Sequence, residues 1–281
     1  MIEIIIRTPI RLSVSSFLFS CKMVANSTED GIEKTIRSVE TAFDIVEIIF
    51  QQDYPNLSEI ATHLDIAVST AHAHLNTLRK CGMVIKRDDG TYRLSSRFLE
   101  FGGALRQRSK LYRVAQTQID HIAQQIGETV GLAIEERDWR VLVYKSEVGE
   151  ALGDNIPIGE HTHLHWSSLG KAILAYLPRQ RVHQIIDRHG LPRSSEYTIT
   201  DRDELFAELD WIQQQGYALD DEERHIGVRG MAVALQTPDE DVLGSIGVAG
   251  PKQRFNESHI NELIGPLQNV ANQIIVEYEY Y

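Results

Sequence analysis

Residues 57–94, LSEIATHLDIAVSTAHAHLNTLRKCGMVIKRDDGTYRL, constrain this chain more than any other stretch. Two short helical patterns, 58–64 and 69–80, flank Asp65-Ile66-Ala67, which leaves room only for a tight turn. Gly82 follows the second pattern where a helix C-terminus favours glycine. Residues 83–87 and 91–94 then alternate around Asp88-Asp89-Gly90, a sequence that turns a two-stranded hairpin. Helix, turn, helix and hairpin in that order predict a winged helix-turn-helix. Such a shape can set its second helix in a DNA major groove with the hairpin beside the backbone.

A helix over 38–50 is predicted just upstream, with Val39, Ala42, Phe43, Val46, Ile49 and Phe50 along one side at the 3.6-residue period. Ser38 is its expected N-cap, and Tyr54-Pro55-Asn56 breaks it. In the next helix Ile60, Ala61 and Leu64 turn inward. In the third, Ala71, Leu75 and Leu78 form the inward stripe and Val68 anchors its start. The opposite face then carries Ser69, Thr70, His72, Ala73, Asn76 and Thr77. These short groups reach base edges or phosphates without ordering a long side chain, and an Asn can pair with adenine. Arg79, Lys80, Lys86, Arg87 and Arg93 gather at the helix end and the wing, where phosphates would run. The competing readings are a solvated polar face on a three-helix core and a winged helix that binds protein.

The chain has 281 residues, enough for two ordinary domains. Its formal net charge of -12 excludes coating nucleic acid by bulk charge, so a DNA contact has to come from a local basic face. Two widely separated cysteines, Cys21 and Cys81, imply neither a disulfide scaffold nor a cysteine metal cluster, and a cytoplasmic setting is expected. No apolar run approaches the roughly 20 residues that cross a bilayer, so no membrane partner is expected. Residues 1–22 faintly resemble a signal peptide, with Arg7 and Arg11 before a short apolar patch broken by serines. They pattern with nothing downstream. Met23 is the expected natural start, and residues 1–30 are expected to be an N-terminal extension.

Beyond the hairpin, the pattern predicts a linker helix over 96–110 and an amphipathic helix over 111–126. Strands follow at 130–135 and 141–146, helices at 168–177 and 202–215, strands at 231–236 and 242–249, and a long helix at 258–277. Helices flanking a mostly antiparallel sheet make residues 111–281 an α+β domain, after a winged helix over 31–95.

Taken together, the motifs resemble the IclR family of transcriptional regulators. The likeness is carried by LSEIATHLDIAVSTAHAHLNTLRKCGMV and DGTYRLSSRFLEFG in the first half. In the second it is carried by HLHWSSLGKAILAYLP (163–178), GYALDDEERHIGVRGMAVAL (216–235) and SIGVAGP (245–251). The resemblance implies a winged helix domain, a linker helix and a GAF-like domain that binds a small effector. It also implies a homodimer or dimer of dimers on a palindromic operator in double-stranded DNA, paired through the first domain and linker. No cofactor and no enzymatic activity are expected.

In the family a small organic acid sits near the helix that begins at the GKA motif. Here the resemblance assigns Trp166, Ser168, Leu169, Gly170, Asp220, Val228, Gly230, Gly247 and Ala249 to that site. Free N–H groups at a helix start suit a carboxylate, although a serine there also reads as a plain cap. The acidic run at 220–223 reads equally as a solvated turn. Lys171 matches a family lysine read as structural. Gly230 stands where many members carry cysteine, and Gly247 and Ala249 where serines are common. The lost polar side chains suggest more free volume and a bulkier, more apolar acid, with Trp166 as a stacking wall.

His161, His163 and His165 alternate, and on a strand they would share one face, with His225 further on. That row supports the rival reading, a metal-dependent enzyme, although spacing alone with no fourth ligand is a weak metal signal. No nucleophile elbow, P-loop or dinucleotide glycine motif accompanies it.

Overall fold

The computed structural model describes residues 34–148 and 156–280. The expectations for residues 1–30, the start at Met23 included, lie outside the described residues. The chain divides after Gly102 into two units.

In the first unit, α1 (Arg37–Gln51), α2 (Leu57–His63) and α3 (Val68–Lys80) are followed by a hairpin of β1 (Val84–Lys86) and β2 (Tyr92–Leu94). The strands pair antiparallel, Val84 opposite Leu94 and Lys86 opposite Tyr92. Ile45, Ile48 and Ile49 of α1, Ile60 of α2, Leu75 of α3, and Val84 and Tyr92 of the hairpin form one core. A capping box starts α2. The Asn56 side chain accepts the Ser58 and Glu59 N–H groups at 2.9 and 3.1 Å, and Glu59 accepts the Asn56 N–H at 2.7 Å. Three backbone N–H groups are satisfied by two side chains together, which sets where the helix pair begins. Asp89 closes the hairpin by accepting the Thr91 N–H at 3.0 Å and the Thr91 hydroxyl at 2.6 Å.

The inward face of α1 differs from expectation. Ile45, Ile48 and Ile49 are buried, whereas Val39, Phe43 and Phe50 are exposed. The helix is apolar on two sides, so periodicity alone does not choose the core side. Ser38 is not its cap; Ile36 occupies that position with no side-chain hydrogen bond.

Next comes α4 (Arg97–Arg108), with no buried residue. Its start is tied to the end of α3. Ser95 donates its hydroxyl to the Gly82 carbonyl at 2.6 Å, and the Arg97 guanidinium donates to the Cys81 carbonyl at 2.9 Å. The helix ends before residue 110 because Ser109 caps the next one, accepting the Tyr112 N–H at 3.2 Å.

The second unit runs α5 (Lys110–Ile126), β3 (Val130–Glu136), β4 (Trp139–Ser146), β5 (His161–His163), α6 (Ser168–Tyr176), α7 (Arg179–His189), α8 (Arg202–Gln215), β6 (Ala218–Asp221), β7 (Val228–Gln236), β8 (Val242–Pro251) and α9 (Glu257–Tyr280). The six strands form one antiparallel sheet in the order β5-β4-β3-β8-β7-β6. Strand side chains alternate between faces. Met231, Val233 and Leu235 pack with Leu263, Leu267 and Ile274 of α9 and Ile119 of α5. Ala232, between them, packs with Ala172 of α6 and Leu209 and Ile212 of α8 on the other face. Two elements were not anticipated, α7 and β6. The acidic run is therefore no solvated turn: Asp220 and Asp221 lie on β6, and Asp220 and Glu223 are buried.

Asn56→Ala should lower the stability of the first unit by about 1 kcal/mol, the usual cost of a lost N-cap. Urea unfolding followed by circular dichroism checks this, and an unchanged midpoint would mean the box is ornamental.

Candidate functional site

Ala71 and Leu75 anchor α3 in the first core, which leaves its other side outward. Ser69, Thr70, His72, Ala73, Asn76, Thr77 and Lys80 are all exposed, as are Lys86 and Arg87 of the wing. Local bonds already organise part of this surface. The Thr77 hydroxyl donates to the Ala73 carbonyl at 3.0 Å. The Asn76 amide lies 3.4 Å from the His72 ring, and Arg79 reaches its oxygen at 3.4 Å. Arg87 stacks 4.3 Å over the Tyr54 ring and lies 3.4 Å from Asp89. Thus Asn76 keeps an exposed amide, while the Thr77 hydroxyl is engaged by its own helix.

In the second unit a cavity with about 60 Å³ of free space opens between the start of α6 and the strands. A single water needs about 10–15 Å³ on this measure, so the space holds a small molecule. Six expected residues line it: Ser168, Leu169, Asp220, Val228, Gly247 and Ala249. Thr129, Gly131, Leu142, Lys145, Ile156, Ser167, Arg224 and Val248 line it as well and were not anticipated. Ser167 caps α6 by accepting the Gly170 N–H at 3.3 Å.

Three expected residues do not line the cavity. Trp166 turns away, its ring 4.6 Å from that of His163 and its indole N–H donating to the Pro192 carbonyl at 2.8 Å. Gly170 serves close packing instead, since a Cβ there would fall 1.9 Å from the Leu164 carbonyl oxygen. Gly230 lies just behind the wall, where a Cβ would meet the Val248 carbonyl at 3.0 Å and the Ser168 hydroxyl at 3.1 Å. Nor does Gly247 open space: a Cβ there would lie 2.6 Å from the Met231 carbonyl. The inference of extra volume from these glycines is therefore corrected. Neighbouring backbone fills the place of a side chain at 247, and Val248, Ser168 and Ala249 leave little room for one at 230.

Charge is arranged around the cavity in two buried groups. In the first, Arg140 donates to Glu160 at 2.6 Å and Arg224 donates to both Glu160 oxygens at 2.8 Å. In the second, Lys171 donates to Glu223 at 2.5 Å and Glu208 at 2.9 Å. Burial alone would push the Lys171 ammonium down, but the charges and hydrogen bonds of Glu223 and Glu208 together hold it above its ordinary value. Burial, and then the charge of Glu223, push Asp220 up to about 7. The pairing makes Lys171 a structural residue, as expected.

The histidine row does not form. β5 ends at His163, and His165 lies in a short 3-10 turn, Leu164–Trp166. His161 sits 2.8 Å from the Gly159 carbonyl and His165 bonds the Pro192 carbonyl at 3.0 Å. Burial lowers His163 to about 3 and His165 to about 4. Among the described residues no group of three or more His, Cys, Asp or Glu side chains could hold a metal ion. Among them, too, no helix is long and apolar enough to cross a membrane.

A winged helix-turn-helix followed by an α+β unit with an open cavity is the architecture of a transcription regulator of two parts. The model of the bacterial transcriptional regulator IclR C-terminal domain matches residues 104–276, and that of the IclR helix-turn-helix domain matches residues 38–88. The chain belongs to the IclR family of transcriptional regulators. A Halobacterium salinarum protein named "Probable HTH-type transcriptional regulator ArcR" is 31% identical over 261 residues, covering 92% of this chain and 99% of that relative. The HTH-type transcriptional regulator KdgR of Escherichia coli is 27% identical over 259 residues, covering 92% and 98%. The Thermotoga maritima IclR structure aligns with a TM-score of 0.73 at 25% identity, over 87% of this chain and 99% of that one. A Microbacterium hydrocarbonoxydans IclR homolog complexed with 4-hydroxybenzoate aligns at 0.74 and 21% identity, over 87% and 100%.

Lys171→Met should destabilise the second unit by about 3–5 kcal/mol, because it leaves the buried Glu223 carboxylate without its partner. Glu208→Gln should cost far less, since that side chain is 25% exposed and can be hydrated. Thermal unfolding of both variants checks the order.

Proposed function

We propose that this protein is a cytoplasmic regulator that binds a palindromic operator as a homodimer or dimer of dimers, and that a small organic carboxylic acid entering the second unit changes that binding. The observation that carries the DNA reading is the outward face of α3, with Thr70, His72 and Asn76 exposed beside the cations of the wing. In this reading Asn76 reads a base edge, Ser69 and Thr70 meet phosphate or bases near the helix start, and Lys80, Lys86 and Arg87 hold the backbone.

Pairing is supported by two apolar stripes. Ile36 just before α1 and Val39, Phe43 and Phe50 on it are exposed at three- and four-residue multiples; on α4, Phe101 and Leu105 are exposed four residues apart. Exposed aromatic and aliphatic groups at helical spacing suit a helix–helix contact with a second copy. One recognition helix spans few base pairs, so two are needed for useful selectivity.

For the effector, the cavity offers the start of α6 with Ser168 and the Leu169 backbone, apolar walls from Leu142, Val228 and Ala249, and Arg224 at one side. A carboxylate suits the free N–H groups and an apolar body suits the walls. An aromatic acid such as 4-hydroxybenzoate, bound by a structural neighbour of similar fold, is the first candidate.

A mobility-shift assay on the DNA upstream of the protein's own gene, repeated with a panel of organic acids, tests the whole reading. Salt-sensitive, sequence-selective binding that one acid alters is expected; no selectivity at any salt concentration overturns it. Asn76→Ala should cost about 1–3 kcal/mol on the operator and relax its sequence preference, whereas Lys86→Ala should weaken all DNA alike and reduce the salt slope by about 1. Phe43→Glu should shift the protein toward monomer in sedimentation and lower operator affinity with it; an unchanged oligomer would place the contact elsewhere.

A further inference from the structure

Three carboxyl groups and one ammonium meet where α6 packs against the sheet end at β6. Lys171 Nζ bonds Glu223 at 2.5 Å and Glu208 at 2.9 Å. Asp220, only 5% exposed, lines the cavity, and its Oδ1 accepts the Glu223 N–H at 2.9 Å. Its register partner across the sheet is Gly230, which stands beside the Ser168 hydroxyl. Asp220 therefore lies next to the helix start that the carboxylate reading assigns to the effector.

The remaining charges around Asp220 are engaged elsewhere. Lys145 of β4 bonds Glu147 at 2.5 Å, Arg224 bonds Glu160, and Arg229 of β7 bonds Asp221 at 2.6 Å. With all three carboxyls ionised, the Lys171 cluster would carry two surplus negative charges, and of the three only Glu208 is open to water. Glu223 Oε2 is moreover buried with no hydrogen-bond partner.

We propose that Asp220 takes up one proton when a carboxylate enters this cavity, so that the effector is sensed as a carboxylate together with a proton. The inference rests on the carboxylate reading above. An ionised Asp220 offers only acceptors and repels a ligand carboxylate; a protonated one donates an O–H to it. The proton comes from solvent and resides on Asp220, while the ligand stays ionised and hydrogen-bonded. Burial and the Glu223 charge already set Asp220 to titrate near neutrality, at about 7, so the uptake is cheap at ordinary pH. Below that value the free protein is mostly protonated and binding needs no uptake. Above it each binding event draws a proton, and affinity falls by as much as about tenfold per pH unit.

Calorimetry with 4-hydroxybenzoate, benzoate, 3-hydroxybenzoate and pyruvate between pH 6 and pH 9, in buffers of different ionisation enthalpy, tests this on the full chain. Affinity should be flat to about pH 7 and then fall, with uptake approaching one proton at pH 9; 4-hydroxybenzamide should show no uptake. Asp220→Asn should remove the pH dependence. If that variant does not fold, carbon NMR of the Asp220 carboxyl in the wild-type protein decides: it should titrate near neutrality and move higher with the acid bound. Equal affinity at pH 6 and pH 9, or an Asp220 titrating in the ordinary carboxylate range, overturns the proton inference and leaves the effector site standing. No binding of any of these acids at any pH overturns the carboxylate reading, and the inference with it.

Discussion

The ion pairs of Lys171 are the constraint on which the second unit depends. A fully buried ammonium is tolerable only when opposite charges and hydrogen bonds surround it. Here they come from α8 through Glu208 and from the segment after β6 through Glu223. Three parts of the chain distant in sequence are thereby fixed to one atom. The neighbouring residue, Gly170, lets α6 sit so close to the Leu164 carbonyl that no Cβ fits. Together they hold the start of α6 against the sheet, and the cavity is the space left beside that junction. A buried ion pair is a weak source of stability compared with an apolar replacement. Its value lies in geometry, because it permits one placement of the helix start and penalises others.

The first unit solves a different problem with different means. Its core is small, and its seven fully buried apolar residues come from five elements. Such a core leaves little stability to spare, so local devices matter: the capping box of α2, the Asp89 closure of the hairpin, and the bonds from Ser95 and Arg97 to the end of α3. None of these uses the outward face of α3. That face is therefore free to vary in chemistry without disturbing the fold.

Much of this was legible in the sequence where pattern and punctuation agree. α8 was legible to the residue, with Gly216 closing it, and the structure adds Asp201 as its cap. The wing was legible from Asp89-Gly90 and its alternating flanks. Misreadings arose where two signals competed. Pro178 follows the helical pattern at 168–177 like a stop, yet proline also sits naturally at a helix start, and α7 begins beside it. α1 has two apolar stripes, and only the tertiary core shows which is covered. The histidines alternate like a strand, but the turn at Leu164–Trp166 breaks the register before His165. Arg224 was missed as a cavity residue because it stands in a charged run; its partner Glu160 is 64 residues earlier, a pairing no local pattern reveals. The glycines at 230 and 247 read as lost side chains, whereas backbone crowding leaves no room for one at 247 and little at 230.

The proposed response to ligand has a narrow covalent route. The division between the units falls within α4, between Gly102 and Gly103. Glycine weakens a helix by about 1 kcal/mol per residue relative to alanine, so this pair marks the least cooperative point of α4. Before it, Arg97 and Ser95 fasten the helix to the end of α3 within the first unit. After it, Ser109 caps α5, whose Ile119 and Ala123 are embedded in the second core. A ligand changes DNA affinity only in so far as it binds the competent and incompetent arrangements unequally. The covalent path for that difference runs through the glycine pair.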